Sequence, residues 1–294
     1  MSLFPGFARW RVRASGATIN LVTGGEGPPL LLLHGYPETH AMWHKMAPAL
    51  AREHTVVCAD LRGYGDSSKP RGLPDHSNYS KREMARDMVE VMERLGHERF
   101  HLVGHDRGAR VAHRLARDHG RRVVTLTVLD ISPTLKMYES SGKAFATAYY
   151  HWFFLIQAPP LPEQFLAGRV PGYILARLGR GRGGLQHFAR AAVKEYERAF
   201  RDPKCIHATC EDYRASAGID LEHDRRDLRN KLRMPVLVLW GKRGVIGKMF
   251  DPLRDWREVA ADVSGRALRC GHFLPEEAPR ETLRELRRFL RRHG

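Results

Sequence analysis

The stretch Phe100-His-Leu-Val-Gly-His-Asp-Arg-Gly-Ala-Arg110 decides the fold. A largely apolar run ends at Gly104, and residues with helical spacing follow Gly108 from Ala109 to Asp118. Strand, sharp turn and helix in this order are typical of the nucleophile elbow, G-x-S-x-G, in which a strained turn lifts one side chain above the sheet. In this chain the lifted residue is Asp106 and not a serine.

A carboxylate in the nucleophile position restricts the chemistry. Its attack on an acyl carbon would give an anhydride, whereas its attack on a saturated carbon gives an ordinary ester. Asp106 therefore favours displacement at an sp3 carbon, followed by hydrolysis of the ester. The alternative is that the pentapeptide is a plain strand-to-helix turn in which Asp106 only caps the helix.

Length and composition indicate a single large α/β domain, with room for an insertion. The chain has 294 residues, of which 43% are hydrophobic. No apolar run approaches the roughly 18 residues that a membrane helix needs. The N-terminus lacks the sustained apolar region of a secretory signal. We therefore expect a cytoplasmic protein without a membrane partner.

The cysteines do not predict a disulfide framework or a metal site. Cys58, Cys205, Cys210 and Cys270 are scattered without C-x-x-C spacing, which is typical of reduced thiols. His207 lies close to two of them in the sequence, but zinc needs about four ligands and a second cluster does not appear in the sequence. We expect no metal.

The net charge of +16 raises the question whether the protein binds nucleic acid. The arginines are spread along the whole chain, and we find no dedicated nucleic-acid-binding motif. We therefore expect no nucleic-acid partner. A positive field would, however, help to concentrate a small anionic substrate.

The order of the elements predicts a mainly parallel sheet covered by helices on both faces. Strands are expected in 7–23 (two short ones), 29–33, 55–59, 100–103, 123–129, 235–240 and 263–268, and helices in 42–52, 80–95, 109–118, 251–260 and 279–291. Between 131 and 225 the pattern is helical and aromatic-rich. We therefore expect a core domain of residues 1–130 and 226–294, and an inserted helical cap of residues 131–225.

A catalytic triad can be assembled from the ends of these strands. In folds with this elbow the nucleophile is followed in the chain by an acid and then by a histidine. His272 follows the last strand, and Asp130 ends the strand after the elbow helix. Asp130 could accept from the Nδ1–H of His272 and fix its tautomer. The alternatives are a surface histidine and an aspartate that caps the first helix of the insertion.

The remaining candidate residues would bind negatively charged groups. The turn His34-Gly-Tyr36-Pro resembles an oxyanion hole, in which the backbone N–H groups of Tyr36 and Arg107 would hold developing negative charge. Arg107 and Arg110 lie three residues apart at a helix start, so they share one face. A guanidinium suits bidentate binding of a carboxylate, and this pair predicts a substrate with its own carboxylate. The alternative for Arg110 is a surface salt bridge.

From about Leu32 to Pro275 the chain resembles the fluoroacetate (haloacetate) dehalogenases of the α/β-hydrolase superfamily. The similarity includes the motifs HGYPETH (34–40), DLRGYGDS (60–67), GHDRGAR (104–110), LDISPT (129–134), YYHWFF (149–154), CEDYRASAGID (210–220) and GHF (271–273). Related epoxide hydrolases and haloalkane dehalogenases usually carry tryptophan after the nucleophile, where this chain has Arg107.

The resemblance implies the residues that bind the halide, which spacing alone does not supply. His151, Trp152 and Tyr213 match the family positions that donate N–H, N–H and O–H to the departing ion. Without the resemblance, these residues would be interpreted as the aromatic core of the cap. Fluoride leaves poorly and needs strong donors as its charge develops.

The resemblance also implies the reaction. Arg107 and Arg110 would hold a haloacetate while Asp106 displaces the halide, and water activated by His272 would release glycolate from the ester. The chain would thus be a hydrolase acting on carbon–halide bonds, without metal or organic cofactor and as a homodimer. The alternatives are an epoxide hydrolase with the same Asp/His/Asp triad and a non-catalytic small-anion binding protein.

Overall fold

The computed structural model describes residues 2–180 and 182–293, and an eight-stranded sheet runs through the middle of this part of the chain. The strands are β1 Ala8–Arg13, β2 Thr18–Gly24, β3 Pro29–Leu33, β4 Thr55–Ala59, β5 Phe100–His105, β6 Val123–Leu129, β7 Val236–Gly241 and β8 Val263–Leu268. Their order is β1-β2-β4-β3-β5-β6-β7-β8. Only the β1–β2 and β2–β4 pairs of this sheet are antiparallel, so the prediction of a mainly parallel sheet is confirmed.

Helices cover the sheet, and eight of them lie between β6 and β7. Outside that stretch the structure has α1 Ala47–Leu50, α2 Lys81–Arg94, α3 Arg107–Asp118, α12 Val245–Met249, α13 Pro252–Val259, α14 Leu274–Glu277 and α15 Pro279–His293. The inserted helical region comprises α4 Thr134–Glu139, α5 Lys143–Ala148, α6 Tyr150–Leu155, α7 Leu161–Leu166, α8 Val170–Leu178, α9 Arg190–Phe200, α10 Pro203–Ala217 and α11 Ile219–Asp227. None of the helices in the described part of the chain is both long enough and apolar enough to cross a bilayer.

One expected helix differs in the structure. Residues 42–52 were expected to form a continuous helix, but a 3₁₀ helix, His40–Lys45, is followed after a break at Met46 by the short α1. Pro48 lies in the first turn of α1. A proline has no N–H to donate to the carbonyl four residues earlier, but it is tolerated in the first turn of a helix, so the continuous helix is interrupted and a new one starts at Ala47.

The central strands are apolar because both faces of the sheet are covered. Every residue of β5 is buried, as are the last four residues of β3. Parallel strands buried on both faces have near-continuous apolar sequences instead of alternating ones. The strands with the strongest apolar runs are therefore the ones that lead into the candidate catalytic residues.

The elbow after β5 is built by close contact between backbones. Asp106 has a φ of +46°, a region that only glycine adopts without strain. The start of α3 lies against the end of β3, and the Gly108 N–H donates to the His34 carbonyl at 2.9 Å. A Cβ on Gly108 would lie 2.4 Å from that carbonyl oxygen. Gly108 therefore permits the approach of helix to strand that holds Asp106 above the sheet.

We expect Gly108→Ala to lower the free energy of unfolding by about 1–3 kcal/mol, because backbone atoms cannot move away as a flexible side chain could. Urea unfolding followed by tryptophan fluorescence would measure the change. Gly142→Ala is the matched control, since a Cβ there meets nothing within 4 Å. Equal effects of the two substitutions would contradict this account of the elbow.

Candidate active site

The Asp106 side chain does not cap the helix that follows it. It precedes α3, but its side chain makes no capping hydrogen bond to that helix. Its Oδ1 instead accepts from the backbone N–H of Tyr36 at 3.1 Å. The strained backbone conformation thus directs the carboxylate toward the turn after β3.

The charges around Asp106 keep it ionised although it is buried. Burial alone would raise the pKa of this carboxyl, but His272, then Arg110, His105 and Arg107 together hold the pKa below its usual value. Only the ionised carboxylate is a useful nucleophile. The site therefore supplies the reactive form without an additional base.

His272 and Asp130 meet at the same edge of the sheet. The Nδ1 of His272 lies 2.6 Å from Asp130 Oδ2, and its Nε2 lies 3.9 Å from Asp106 Oδ2. Asp130 follows β6 and also accepts from the Gly241 N–H at 2.8 Å, at the end of β7. With its Nδ1 proton held by Asp130, the ring presents Nε2 as the proton acceptor toward Asp106.

The two alternatives for these residues do not describe the structure. The residue that caps α4 is Pro133 and not Asp130, whose side chain is buried. The side chain of His272 is only 21% exposed and packs against the His105 ring, with 4.7 Å between ring centroids. Asp106, Asp130 and His272 therefore form one cluster, and they follow one another in the chain in the order expected for nucleophile, acid and histidine.

The backbone donors of the expected oxyanion hole lie on either side of Asp106. The Tyr36 N–H already contacts the carboxylate. Arg107 is the first residue of α3, and N–H groups in the first turn of a helix have no partner within that helix. Both N–H groups are thus positioned to donate to a carbonyl oxygen of Asp106 that becomes negatively charged, as it would in the hydrolysis of an ester.

Arg107 is held differently from the sequence expectation. Its Nε and Nη2 donate to Asp212 Oδ2 and Oδ1 at 2.8 and 2.6 Å. Nη2 also donates to Ser216 Oγ at 2.7 Å. The bidentate edge therefore binds the protein's own Asp212, and a substrate carboxylate cannot use that edge. The remaining nitrogen, Nη1, is buried and has no hydrogen-bond partner among the described residues.

Arg110 is buried and is not part of a surface salt bridge. Its Nη1 donates to Thr134 Oγ1 at 2.9 Å, and its Nη2 contacts Met137 Sδ at 3.3 Å. Both acceptors are neutral, and its Nε is buried without a hydrogen-bond partner in the described chain. Burial, opposed by Asp106, lowers the pKa of the guanidinium. A buried cation held by neutral groups favours an anionic ligand nearby.

Asp212 is the charged residue that our sequence interpretation missed. It lies on α10 and pairs with Lys81 as well as with Arg107, and it accepts from the Tyr64 O–H at 2.7 Å. These cations outweigh the effect of burial and hold the pKa of Asp212 well below its usual range. The residue stands in the motif 210–220, but its partners are about 105 and 131 positions away in the chain.

Three aromatic residues of the inserted helical region line the same site. The Tyr213 ring lies under the Arg107 guanidinium at 4.1 Å, and the Trp152 ring lies against Arg110 at 4.7 Å. His151 packs face to face with Tyr36, with ring centroids 6.0 Å apart. The Tyr213 hydroxyl and the His151 Nδ1 are both buried without a hydrogen-bond partner among the described residues. Burial and the Asp106 charge hold the pKa of Tyr213 well above its usual value, so its hydroxyl stays a donor.

A separate cluster of possible metal ligands lies away from this site. Ligand atoms of Glu163, His207 and Glu211 are within 4.8 Å of one another. Arg214 donates to both carboxylates at 2.7 Å, so a cation of the protein itself already pairs with this cluster. The four cysteines are buried as free thiols, and none belongs to this cluster.

Comparison with known proteins assigns the chain to a family. A sequence profile of the α/β hydrolase fold matches residues 28–279, so the chain belongs to the α/β hydrolase family. Within it, the chain is 47% identical to a fluoroacetate dehalogenase from Burkholderia sp., over 98% of this chain and 95% of the relative. It is 35% identical to a soluble epoxide hydrolase from Corynebacterium sp. strain C12, over 90% and 91% of the two chains. A crystal structure from Nostoc sp. PCC 7120, provisionally assigned as an α/β hydrolase, superposes with a TM-score of 0.95 at 58% identity and covers 97% of this chain and 98% of its own.

We expect Asp212→Asn to lower the free energy of unfolding by about 3 kcal/mol, because the buried Arg107 loses its carboxylate partner and Lys81 keeps only Asp220. Glu258→Gln removes the exposed ion pair with Lys136 and should cost no more than about 1 kcal/mol. Urea denaturation of both variants measures the difference. A similar small loss in both would show that Arg107 and Lys81 do not depend on Asp212.

Proposed function

We propose that the protein is a haloacetate dehalogenase that converts fluoroacetate, and also chloroacetate, to glycolate and halide. The observation that carries the proposal is a set of buried donors without partners among the described residues. They are Arg107 Nη1, Arg110 Nε, His151 Nδ1 and Tyr213 Oη. Since an unpaired buried donor is costly, the set favours a small ligand rich in acceptors.

Two of these donors suit the carboxylate of the substrate. Arg107 Nη1 and Arg110 Nε belong to different guanidinium groups, both close enough to Asp106 to affect its pKa. Each would donate to one haloacetate carboxylate, with the carbon–halogen bond directed away from Asp106. This positioning lets the Asp106 carboxylate attack the halogen-bearing carbon in line. The carbon–oxygen bond of an ester forms as the carbon–halogen bond breaks.

The other two donors suit the departing halide. His151 Nδ1 and Tyr213 Oη, together with the indole N–H of Trp152, would donate to the ion as its charge develops. Because these interactions are stronger with the ion than with the bound halogen, they lower the barrier. Fluoride, the strongest acceptor among the halides, gains most from such donors.

His272 would then hydrolyse the ester. Its Nε2 takes a proton from water, which attacks the ester carbonyl carbon of Asp106, while Asp130 stabilises the imidazolium. The N–H groups of Tyr36 and Arg107 hold the charge on the carbonyl oxygen. Collapse of that intermediate releases glycolate, whose hydroxyl oxygen takes the proton from His272, and the remaining proton of the attacking water is lost to solvent as the Asp106 carboxylate is restored. The chemistry requires neither metal nor organic cofactor.

An epoxide hydrolase is the second candidate function, because the chain is 35% identical to a soluble epoxide hydrolase. An epoxide needs an acid near the ring oxygen, and Tyr149, Tyr150 and Tyr213 are the available hydroxyls. A neutral epoxide would leave the free N–H groups of Arg107 and Arg110 without an anionic acceptor. The charge of the site thus favours the haloacid.

We also propose that residues 131–225 act as a cap domain over a core of residues 1–130 and 226–294. In support, the Arg107–Asp212 pair and the Tyr36–Tyr213 ring contact join the two parts around Asp106. By resemblance to the haloacetate dehalogenases we further propose a cytoplasmic homodimer. Sedimentation equilibrium giving a monomer mass would contradict the dimer.

The test of the function is halide release measured with ion-selective electrodes. The purified protein should release fluoride from fluoroacetate, Asp106→Ala should release none, and Glu258→Gln should match the parent. His272→Asn should release about one halide per site and then stop, because ester formation does not need the base. Its mass should increase by one carboxymethyl group.

Other outcomes of the halide-release experiment would point to a different function or to a different halide preference. Chloride release without fluoride release would retain the mechanism and reject the pocket adapted to fluoride. Absence of both, together with hydrolysis of an epoxide in a panel, would establish the second candidate. Binding of haloacetate by the parent and by Asp106→Asn, with no turnover in either, would indicate a small-anion binding protein.

A further inference from the structure

Arg177 on α8 is a buried cation that neither the sequence motifs nor the mechanism uses. It is 8% exposed, and its Nη2 lies 3.1 Å from the Nε2 of His151. Its Nε and Nη1 are buried without hydrogen-bond partners among the described residues. Among the described residues, the contact with His151 is therefore the one hydrogen bond that the Arg177 guanidinium makes.

This contact determines which nitrogen of His151 carries the proton. A guanidinium has only N–H donors and no acceptor. The Nε2 of His151 must therefore be the acceptor, with its lone pair directed at Arg177. A neutral imidazole that accepts at Nε2 carries its proton on Nδ1.

The surroundings of His151 keep the ring neutral. Burial is the main cause that lowers its pKa far below the usual value, and the positive groups Arg177, Arg180, His272 and Arg107 act in the same direction. The imidazolium is therefore disfavoured, and a single tautomer remains. Because Arg177 is held inside the protein, this tautomer does not depend on the substrate.

The free Nδ1–H lies within the candidate active site. The His151 ring stacks on Tyr36, whose N–H contacts Asp106, and it meets the Tyr213 ring edge-on at 5.8 Å between centroids. Nδ1 is buried and has no partner in the described residues. Its proton is thus available on the side where the halide would leave.

We propose that Arg177 is a positioning residue that fixes His151 as the Nδ1–H tautomer, and thereby makes it a donor to the departing halide. This inference rests on the proposed dehalogenase function. Arg177 does not touch the substrate and acts through His151. Its contribution should be larger for fluoride than for chloride, because fluoride depends more on hydrogen-bond donation when it leaves.

The test combines kinetics on two substrates with three variants. Arg177→Met removes the donor and retains an unbranched side chain, and Arg177→Lys retains a cationic donor. Arg169→Met is the matched control, since Arg169 is an exposed arginine at the start of the same helix, and its side chain donates only to the Phe165 carbonyl among the described residues.

We expect Arg177→Met to lower kcat for fluoroacetate by at least about tenfold, because a donor to developing charge is no longer oriented. The loss for chloroacetate should be smaller, and KM should change little for either substrate because Arg107 and Arg110 are untouched. Arg177→Lys should recover part of the loss, and Arg169→Met should match the parent. Equal losses on both substrates, or the same loss in Arg169→Met, would overturn the proposal.

A direct readout of the tautomer separates this proposal from the function itself. Long-range ¹H–¹⁵N correlation spectra of ¹⁵N-histidine-labelled protein, with His151 assigned by its absence in His151→Asn, should show a protonated Nδ1 and an unprotonated Nε2. Arg177→Met should show a mixture of tautomers. A protonated Nε2 in the parent would overturn the proposal even if Arg177→Met did not fold. Absence of halide release with the expected tautomer would reject the proposed function alone.

Discussion

The site depends on one constraint, which is that a carboxylate must stay charged after it has been removed from water. Asp106 is only 6% exposed, and burial alone would raise its pKa. His272, Arg110, His105 and Arg107 compensate through their charge. The guanidinium groups of the two arginines of this set, Arg107 and Arg110, make no hydrogen bond to the Asp106 carboxylate among the described residues, and other side chains hold them in place.

Arg107 and Arg110 each have hydrogen-bond partners, among the described residues, for only some of their N–H groups. Arg107 directs one edge at Asp212 and Ser216, and Arg110 donates to Thr134 and Met137. Each guanidinium is thereby fixed in orientation, and each retains one buried nitrogen without a partner in the described chain. Such fixed and incompletely satisfied donors are preorganised for an anion, because little further ordering is needed when it binds.

The sequence predicts the parts of this arrangement that depend on local pattern. The elbow around Asp106, the strand ends at Asp130 and Tyr36, and the loop of His272 follow from apolar runs, glycine positions and chain order. The helix broken at Met46 shows a limit of that approach, since Pro48 outweighed the apolar spacing.

The spacing of Arg107 and Arg110 correctly places them on one face, but it carries no information about their partners. Asp212 and Arg177 lie on helices of the insertion and reach the site only through the tertiary fold. No local pattern distinguishes them from the many other charged residues of the chain.

A single turnover in H₂¹⁸O tests the central claim that Asp106 itself attacks the substrate carbon. With enzyme in excess over fluoroacetate, the covalent route requires that the glycolate hydroxyl oxygen comes from Asp106 and that the oxygen of water enters its carboxylate. Mass spectrometry should therefore find ¹⁸O in the peptide that contains Asp106 and unlabelled glycolate. Labelled glycolate with an unlabelled peptide would mean that water attacks the substrate directly, and it would contradict the account of Asp106 as the nucleophile.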